Sequence, residues 1–240
     1  MARKPSRPKS GTPESPPLPL ESEPDRIVAA FLALLAEKSF ERIELSEIAT
    51  RAGVSLGGLR TEFSSTLAIY AAHVKSIDRA VLAGGDGDMA EEPPRERLFD
   101  VLMRRIEALA PHKEAVRSLL RSTSCNPSLA LALNCLAVRS MQWMLTAADI
   151  HASGPRGMLR AQGLAMLWVR VLRTFVNDED EGRARTMAQL DRALGRGARL
   201  VGLLDDLCRF VPRPGRRRRH RDEDGRRWRD DDEGGDFVRA

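Results

Sequence analysis

The chain has 240 residues, enough for one large domain or two modest ones without a metal or disulfide to hold a core together. Its composition, 42% hydrophobic and 30% charged, is that of an ordinary soluble globular protein. The longest apolar run, residues 164–169, excludes an integral membrane protein, because a helical span needs about 18 such residues. The sequence therefore predicts a cytoplasmic protein.

The net charge of +5 lies mostly in the two ends of the chain. Counted by segment, residues 1–22 carry +2, residues 23–82 carry −1, residues 83–211 carry +2 and residues 212–240 carry +2. Residues 1–23 are rich in proline and poor in bulky apolar side chains, and residues 212–240 alternate basic and acidic blocks such as RRRRHRDED. We predict that both segments are disordered tails, because neither composition can offset the entropy of ordering the chain.

Apolar residues recur at helical spacing from residue 27 onward. The spacing predicts a first helix over residues 24–39, a second over 45–52, a short third that carries Leu59 and Phe63, and a fourth over 66–82. Glycines at residues 84, 85 and 87 then end the pattern. Residues 24–83 are therefore predicted to form a first, four-helix domain.

The second and third helices are separated by Ala52, Gly53, Val54 and Ser55. Gly53 suits a left-handed cap that ends one helix, and Ser55 suits the N-cap that begins the next. Val54 is expected to fill the angle between the two helices. A three- to four-residue turn of this kind is what a helix-turn-helix unit needs to present its second helix to a DNA major groove.

The rest of the chain, after a linker at about residues 84–94, is also predicted to be helical. Pro, Gly, Asn and Asp signals divide it into helices at about 95–109, 113–124, 128–149, 156–177 and 183–209. No alternating strand pattern is present. The predicted fold class is all-α, with a helical domain at 95–210 for ligand binding and dimerisation.

The segment AEKSFERIELSEIATRAGVSLGGLRTEFSSTLAIYAA, residues 36–72, resembles the helix-turn-helix domain of the TetR family of transcriptional regulators. The resemblance implies a homodimer that binds a near-palindromic DNA operator and releases it when a small molecule enters the C-terminal domain. The residues expected to contact DNA are Ser55, Leu56, Gly57, Gly58, Arg60, Thr61 and Thr66. In a second interpretation, the glycines only shorten the helix and Arg60 is solvated.

Four positions depart from the usual pattern of this family. Glu44 stands where a Ser or Thr is common, Arg60 replaces a Tyr, Glu62 replaces a His or Tyr, and Thr66 replaces a Lys. Neutralisation of phosphate charge supplies most non-specific DNA affinity, so a domain that sums to −1 is expected to bind DNA weakly unless the basic tails help.

The C-terminal region resembles a second family of the same overall fold, the lipid-binding accessory proteins of ubiquinone biosynthesis. The resemblance rests on RERLFDVLMRRIEALAPHKEAVRSLL at 95–120, RSMQWML at 139–145 and TMAQLDRALGRG at 186–197. It implies an apolar cavity for an isoprenoid or phospholipid, and the candidates to line it are Met103, Ile106, Met141, Met144, Leu145, Met166, Leu167 and Trp168. The alternative is that these side chains only pack the core.

The last predicted helix, 183–209, is basic on one face and apolar on the other. Such a helix could lie on an anionic membrane surface. The interpretation we favour for it is a dimer-forming helix with a solvated face.

Nothing in the sequence predicts catalysis, a cofactor or a metal site. The histidines, His73, His112, His151 and His220, show no metal-ligand spacing and have no nucleophile nearby in sequence. Cys125, Cys135 and Cys208 are an odd number with no paired spacing, so we expect reduced thiols that pack in the interior. The acidic run at 178–181 is interpreted as an exposed turn between helices.

The leading hypothesis from sequence is therefore a DNA-binding regulator controlled by a small apolar ligand. The alternative is a lipid-binding accessory protein whose helix-turn-helix no longer reads DNA.

Overall fold

The computed structural model describes residues 22–85 and 91–210, with side chains described up to residue 197. Within these ranges the helices are α1 (Glu23–Glu37), α2 (Leu45–Ala52), α3 (Leu56–Glu62), α4 (Thr66–Ala83), α5 (Pro94–Leu109), α6 (Lys113–Cys125), α7 (Pro127–Ala147), α8 (Gly154–Phe175) and α9 (Ala184–Phe210). The described chain contains no strand. The all-α prediction is confirmed, and the predicted disordered tails lie outside the described residues except for residues 22 and 23, which begin α1.

The helix boundaries follow from local signals in the sequence. The Ser22 hydroxyl oxygen accepts a hydrogen bond from the Asp25 N–H at 3.4 Å and so caps α1. Asn126 caps α7 in the same way, accepting from the Leu129 N–H at 3.0 Å. Such caps satisfy backbone donors that have no partner inside the helix, which is why each helix begins where it does.

The first core lies among α1, α2, α3 and the start of α4. It is built from large side chains that are almost fully buried, among them Ile27, Phe31, Leu35, Ile48, Leu59 and Ile69. Two residues of α6, Ala115 and Leu119, belong to the same core. The N-terminal helices therefore pack directly on α6, a helix of the predicted C-terminal domain.

Polar contacts reinforce this packing of α6 on the N-terminal helices. The Ser118 hydroxyl donates to the Lys38 carbonyl oxygen at 2.8 Å, and the Phe40 N–H donates to the Ser122 hydroxyl oxygen at 3.1 Å. Ser118 and Ser122 are both buried, so these bonds satisfy groups that water cannot reach. The described residues up to Gly202 form one compact unit, and of a second unit that begins at Leu203 only the end of α9 is described.

The second core fills the space among α4, α5, α7 and α8, with α9 adding Leu190 and Leu194. Close approach is required where α8 begins. A Cβ at Gly157 would lie 2.1 Å from the carbonyl carbon of Ala152, so only glycine fits there. No described helix is long and apolar enough to cross a membrane.

Two expectations from sequence are wrong in detail. The acidic run at 178–181 is exposed between helices as predicted except at Asp178, which is buried. Its Oδ2 accepts from the N–H and the hydroxyl of Thr186 at 2.8 and 2.7 Å and so holds the start of α9. Cys125 and Cys135 are exposed rather than packed, since both lie on outward faces of their helices. The Cys208 side chain lies outside the described residues.

A candidate nucleic-acid interface and a buried cavity

The turn between α2 and α3 has the geometry that the sequence predicts. Gly53 has a φ of 66° and ends α2 in the left-handed conformation, which a residue with a Cβ adopts only with strain. The Ser55 hydroxyl oxygen accepts from the Gly58 N–H at 2.9 Å and caps α3. Leu59, which is only 1% exposed, anchors α3 on the first core. The opposite face of α3 is thereby held toward solvent.

The predicted DNA-contacting residues lie mostly on this outer face. Leu56 is 57% exposed, and Ser55, Gly57, Arg60 and Thr61 are exposed beside it. No described residue forms an ion pair with the Arg60 guanidinium. The Thr61 hydroxyl, by contrast, is already used, since it donates a hydrogen bond to the Gly57 carbonyl oxygen at 3.0 Å. The positive charge of Arg60 is therefore available to bind a ligand.

The two glycines of α3 differ in their surroundings. A Cβ at Gly57 would meet nothing closer than its own neighbour Ser55, at 3.7 Å. A Cβ at Gly58 would lie 2.7 Å from a carboxylate oxygen of Glu23, which reaches over α3 from the start of α1. Gly57 thus leaves the backbone open to close approach by DNA, and Gly58 does not. Thr66, half-buried at the first residue of α4, lies at the edge of the exposed face.

Charge on the N-terminal helices is partly neutralised within the fold. Lys38 Nζ lies 2.5 Å from a Glu47 carboxylate oxygen, and this hydrogen bond holds the pKa of Glu47 below its usual value. Arg51 lies 2.6 Å from Glu37 and lowers the pKa of that carboxyl in the same way. Glu44 and Glu62 form no ion pair with a described residue. Uncompensated acidic groups therefore remain on α3, at Glu62, and against it, at Glu23, which the sequence did not indicate.

A cavity of about 50 Å³ lies where α4, α5, α6 and α8 meet. Its walls are mostly apolar, and they include the polar side chains of Tyr70, His73 and Arg105. The apolar lining residues are Val74, Ile77, Leu109, Val116, Leu119, Leu120, Trp168 and Leu172. Because Leu119 also belongs to the first core, the cavity touches the support of the helix-turn-helix directly.

The charged group of the cavity wall is Arg105, which is only 4% exposed. It forms a buried ion pair with Asp78, which also accepts a hydrogen bond from the Ser140 hydroxyl at 2.7 Å. The guanidinium carbon lies 5.6 Å from the centre of the Trp168 ring, a cation–π distance. The Nε–H of Arg105 is buried and has no acceptor among the described residues.

His73 and Tyr70 are neutral walls of this cavity at neutral pH. Burial, with the nearby His112 and Arg105, lowers the pKa of His73 to about 4. Burial also raises the pKa of Tyr70 above its usual value. The His73 and His112 rings meet edge to face with their centres 5.0 Å apart. Since Arg105 and Asp78 compensate each other, the cavity presents nearly zero net charge.

The residues predicted to line an apolar cavity are scattered by the fold. Trp168 lines the cavity described above. Ile106, Met141, Met144 and Leu145 are buried in the second core, and Met103 and Leu167 are half-buried at its edge. Met166 is 61% exposed on the outer face of α8 and lines no interior cavity, contrary to expectation.

The sequence did not indicate the polar wall residues, Tyr70, His73 and Arg105. The spacing of apolar residues in its helix is compatible with either a buried or an exposed position for each of these three side chains. Asp78 and Arg105, which form the ion pair, are 27 residues apart in the chain. No short motif can show such a juxtaposition.

Among the described residues, no group of His, Cys, Asp and Glu is arranged to hold a metal ion. The rings of His73 and His112 meet edge to face, and neither histidine belongs to such a group within the described ranges.

No protein-family model and no curated protein matches the chain. Solved structures do. A TetR transcriptional regulator from Rhodococcus sp. RHA1 is 26% identical with a TM-score of 0.52, and the match covers 72% of this chain and 93% of that one. A TetR transcriptional regulator from Nitrosomonas europaea ATCC 19718 is 23% identical with a TM-score of 0.58, covering 73% of this chain and 97% of that one. A TetR-family regulator from Streptomyces coelicolor is 17% identical with a TM-score of 0.50, covering 79% and 86%.

These likenesses confirm the TetR-like fold class predicted from sequence. All three structures belong to transcriptional regulators. The likeness of the C-terminal region to ubiquinone accessory proteins has no counterpart among them.

Proposed function

We propose that this protein is a TetR-type transcriptional regulator that binds operator DNA through α3, acts as a homodimer and responds to a small apolar ligand. The observation that carries the proposal is the α2–turn–α3 unit, with Gly53 left-handed, Ser55 capping α3 and the far face of α3 exposed. We expect the protein to be cytoplasmic, because its operator DNA lies in the cytoplasm.

Arg60 is the residue we assign to base reading. Its guanidinium is exposed and has no ion-pair partner among the described residues, so it can reach the two acceptors of a guanine edge in the major groove. Leu56 offers an apolar surface suited to a thymine methyl group. The open backbone at Gly57 allows close contact with the phosphate chain.

Electrostatics set a limit on non-specific affinity. Glu23 and Glu62 lie on or against α3, and each repels phosphate. A protein with few net phosphate contacts loses little affinity as salt rises. We therefore expect specific contacts to dominate operator binding, with residues 216–219 of the basic C-terminal segment adding at most a loose phosphate contact.

The homodimer is assigned to α8 and α9. Leu159 and Met166 on α8 are each 61% exposed, and Met187 on α9 is 43% exposed. Large apolar side chains left exposed mark surfaces that another protein covers. Met166→Glu is expected to shift the dimer to monomer in sedimentation velocity, whereas Arg139→Glu, at an exposed position on α7, leaves it a dimer.

Ligand control follows from the position of the cavity. Its walls include four residues of α4, the helix that directly follows α3, and Leu119 of α6, which also supports the first core. A ligand that spreads these walls moves the support of α3 relative to the rest of the fold. In a dimer this changes the spacing of the two recognition helices, on which operator binding depends.

The experiment that tests the function is fluorescence anisotropy with labelled DNA from upstream of the protein's own coding region, at low salt. We expect the anisotropy of the labelled DNA to rise as protein is added, and we expect unlabelled, unrelated DNA of equal length not to reverse that rise. Arg60→Ala should weaken this binding by about tenfold or more. Arg139→Ala, which removes an equal charge from an exposed site on α7, is the matched control and should change it less than about twofold.

Equal affinity for upstream and unrelated DNA, or equal effects of the two substitutions, would contradict the proposal. The lipid-binding alternative is not favoured, because the cavity of about 50 Å³ is smaller than the roughly 150 Å³ cavity that takes benzene, and an isoprenoid or phospholipid is much larger than benzene. A peripheral membrane role for α9 stays a prediction, and we prefer its dimer role.

A further inference from the structure

We propose that the cavity among α4, α5, α6 and α8 binds a small, neutral, apolar molecule that carries one hydrogen-bond acceptor oxygen, held by the Nε–H of Arg105. A ketone, an ester or an amide has this chemistry. The inference deepens the proposed ligand control and rests on it for its regulatory meaning, while the binding itself is independent of DNA.

The acceptor is inferred from an unsatisfied donor. Arg105 is 4% exposed and lines the cavity, and its Nε–H has no acceptor among the described residues. A buried donor without a partner costs free energy, which an acceptor placed in the cavity recovers. The other side of the guanidinium is already occupied by Asp78 and by the face of Trp168. One acceptor atom is therefore what the site lacks.

The neutral charge is inferred from the compensation of Arg105. Asp78 already balances its positive charge inside the protein, and Asp78 is itself held by Ser140. The remaining polar walls, His73 and Tyr70, are uncharged at neutral pH. A carboxylate ligand would bring an uncompensated negative charge into a buried site, which is strongly unfavourable. A neutral acceptor gains the hydrogen bond without that cost.

The size and apolar character follow from the walls. Eight of the eleven lining side chains are aliphatic or indole groups, among them Leu109, Leu119 and Trp168. The volume of about 50 Å³ is well below the roughly 150 Å³ of a cavity that takes benzene. We therefore expect a branched ligand of only a few carbon atoms.

Three probes of the same branched shape, each with four non-hydrogen atoms, separate the possibilities. Acetone has a neutral acceptor oxygen, isobutene replaces that oxygen by a CH₂ group, and acetate carries a negative charge. Each is titrated into the full-length protein without DNA, with the Arg105 Nε–H signal followed by NMR. We expect the ketone to shift that signal and to bind about tenfold or more tightly than either of the other two.

Two leucine variants locate the binding. Leu172→Phe enlarges a side chain that lines the cavity and should abolish ketone binding. Leu131→Phe makes the same change at a site on α7 that is 66% exposed and should leave binding as in the wild type. Arg105→Lys keeps a cation beside Asp78 but lacks the Nε–H, and it should remove the preference for the ketone over its isostere. Circular dichroism verifies that each variant is folded.

If acetate bound most tightly, the inference that the ligand is neutral would be wrong. Equal binding of all three probes would refute the role assigned to Arg105. An unshifted Nε–H signal with every probe would show that water alone fills the cavity. Because no DNA is present, these results are separate from operator binding. A protein that binds the ketone and ignores DNA would refute the proposed function and leave this site standing.

Discussion

Replacing His73 by glutamine tests whether its burial makes the fold sensitive to acid. His73 is 4% exposed, and its ring faces Tyr70 on its own helix and His112, the residue just before α6, with Arg105 of α5 and its partner Asp78 nearby. Desolvation first, then repulsion by His112 and Arg105, lowers its pKa from 6.5 to about 4. Between these two pH values His73 is therefore mostly neutral in the native protein and mostly protonated in the unfolded chain.

The sign and size of the effect follow from that difference. Between about pH 6.5 and about pH 4 the unfolded chain binds more protons than the native state, so the free energy of unfolding falls as the pH falls. Going from about pH 7.5 to about pH 5 costs about 2 kcal/mol through His73 alone. The pKa of His112 is also lowered by burial, so it adds to the loss in the same direction.

The assay is urea unfolding at both pH values and at one protein concentration, because the protein is proposed to dimerise. We expect the wild type to lose about 2 kcal/mol more than His73→Gln over this interval. His151→Gln, at an exposed histidine, is the control and should follow the wild type. If His73→Gln and the wild type lose equal stability, the buried neutral histidine is refuted.

Three further predictions concern the fold. Gly157→Ala should destabilise the protein severely in thermal unfolding, because its Cβ would overlap the backbone of the preceding loop. Ser55→Ala should cost about 1 kcal/mol by removing the cap of α3, and Ser55→Asp should restore most of it. Asp78→Asn leaves the buried Arg105 cation unpaired and should cost about 3–5 kcal/mol in urea unfolding; a cost below about 1 kcal/mol would mean that the pair is hydrated.

Local signals explain why the helices could be predicted closely. The left-handed backbone of Gly53 and the cap formed by Ser55 depend only on these residues and their immediate neighbours. Four consecutive residues therefore suffice to predict the turn between α2 and α3. The apolar spacing that places Phe31 and Leu59 in the core is likewise a property of single helices. The expectation for Asp178 failed because its partner, Thr186, belongs to the next helix.

The sequence by itself determined the helical class, the position of the helix-turn-helix and the exposure of Arg60, because each depends on the spacing of residues along one or two helices. Only the tertiary structure decided where the cavity lies. It brings together Asp78 and Arg105 across 27 residues, and it sets Trp168 over the guanidinium from a third helix. It also places Met166 outside and Glu23 over α3. The physical reason is that burial and charge pairing depend on neighbours that packing supplies, and packing joins residues that no local pattern connects.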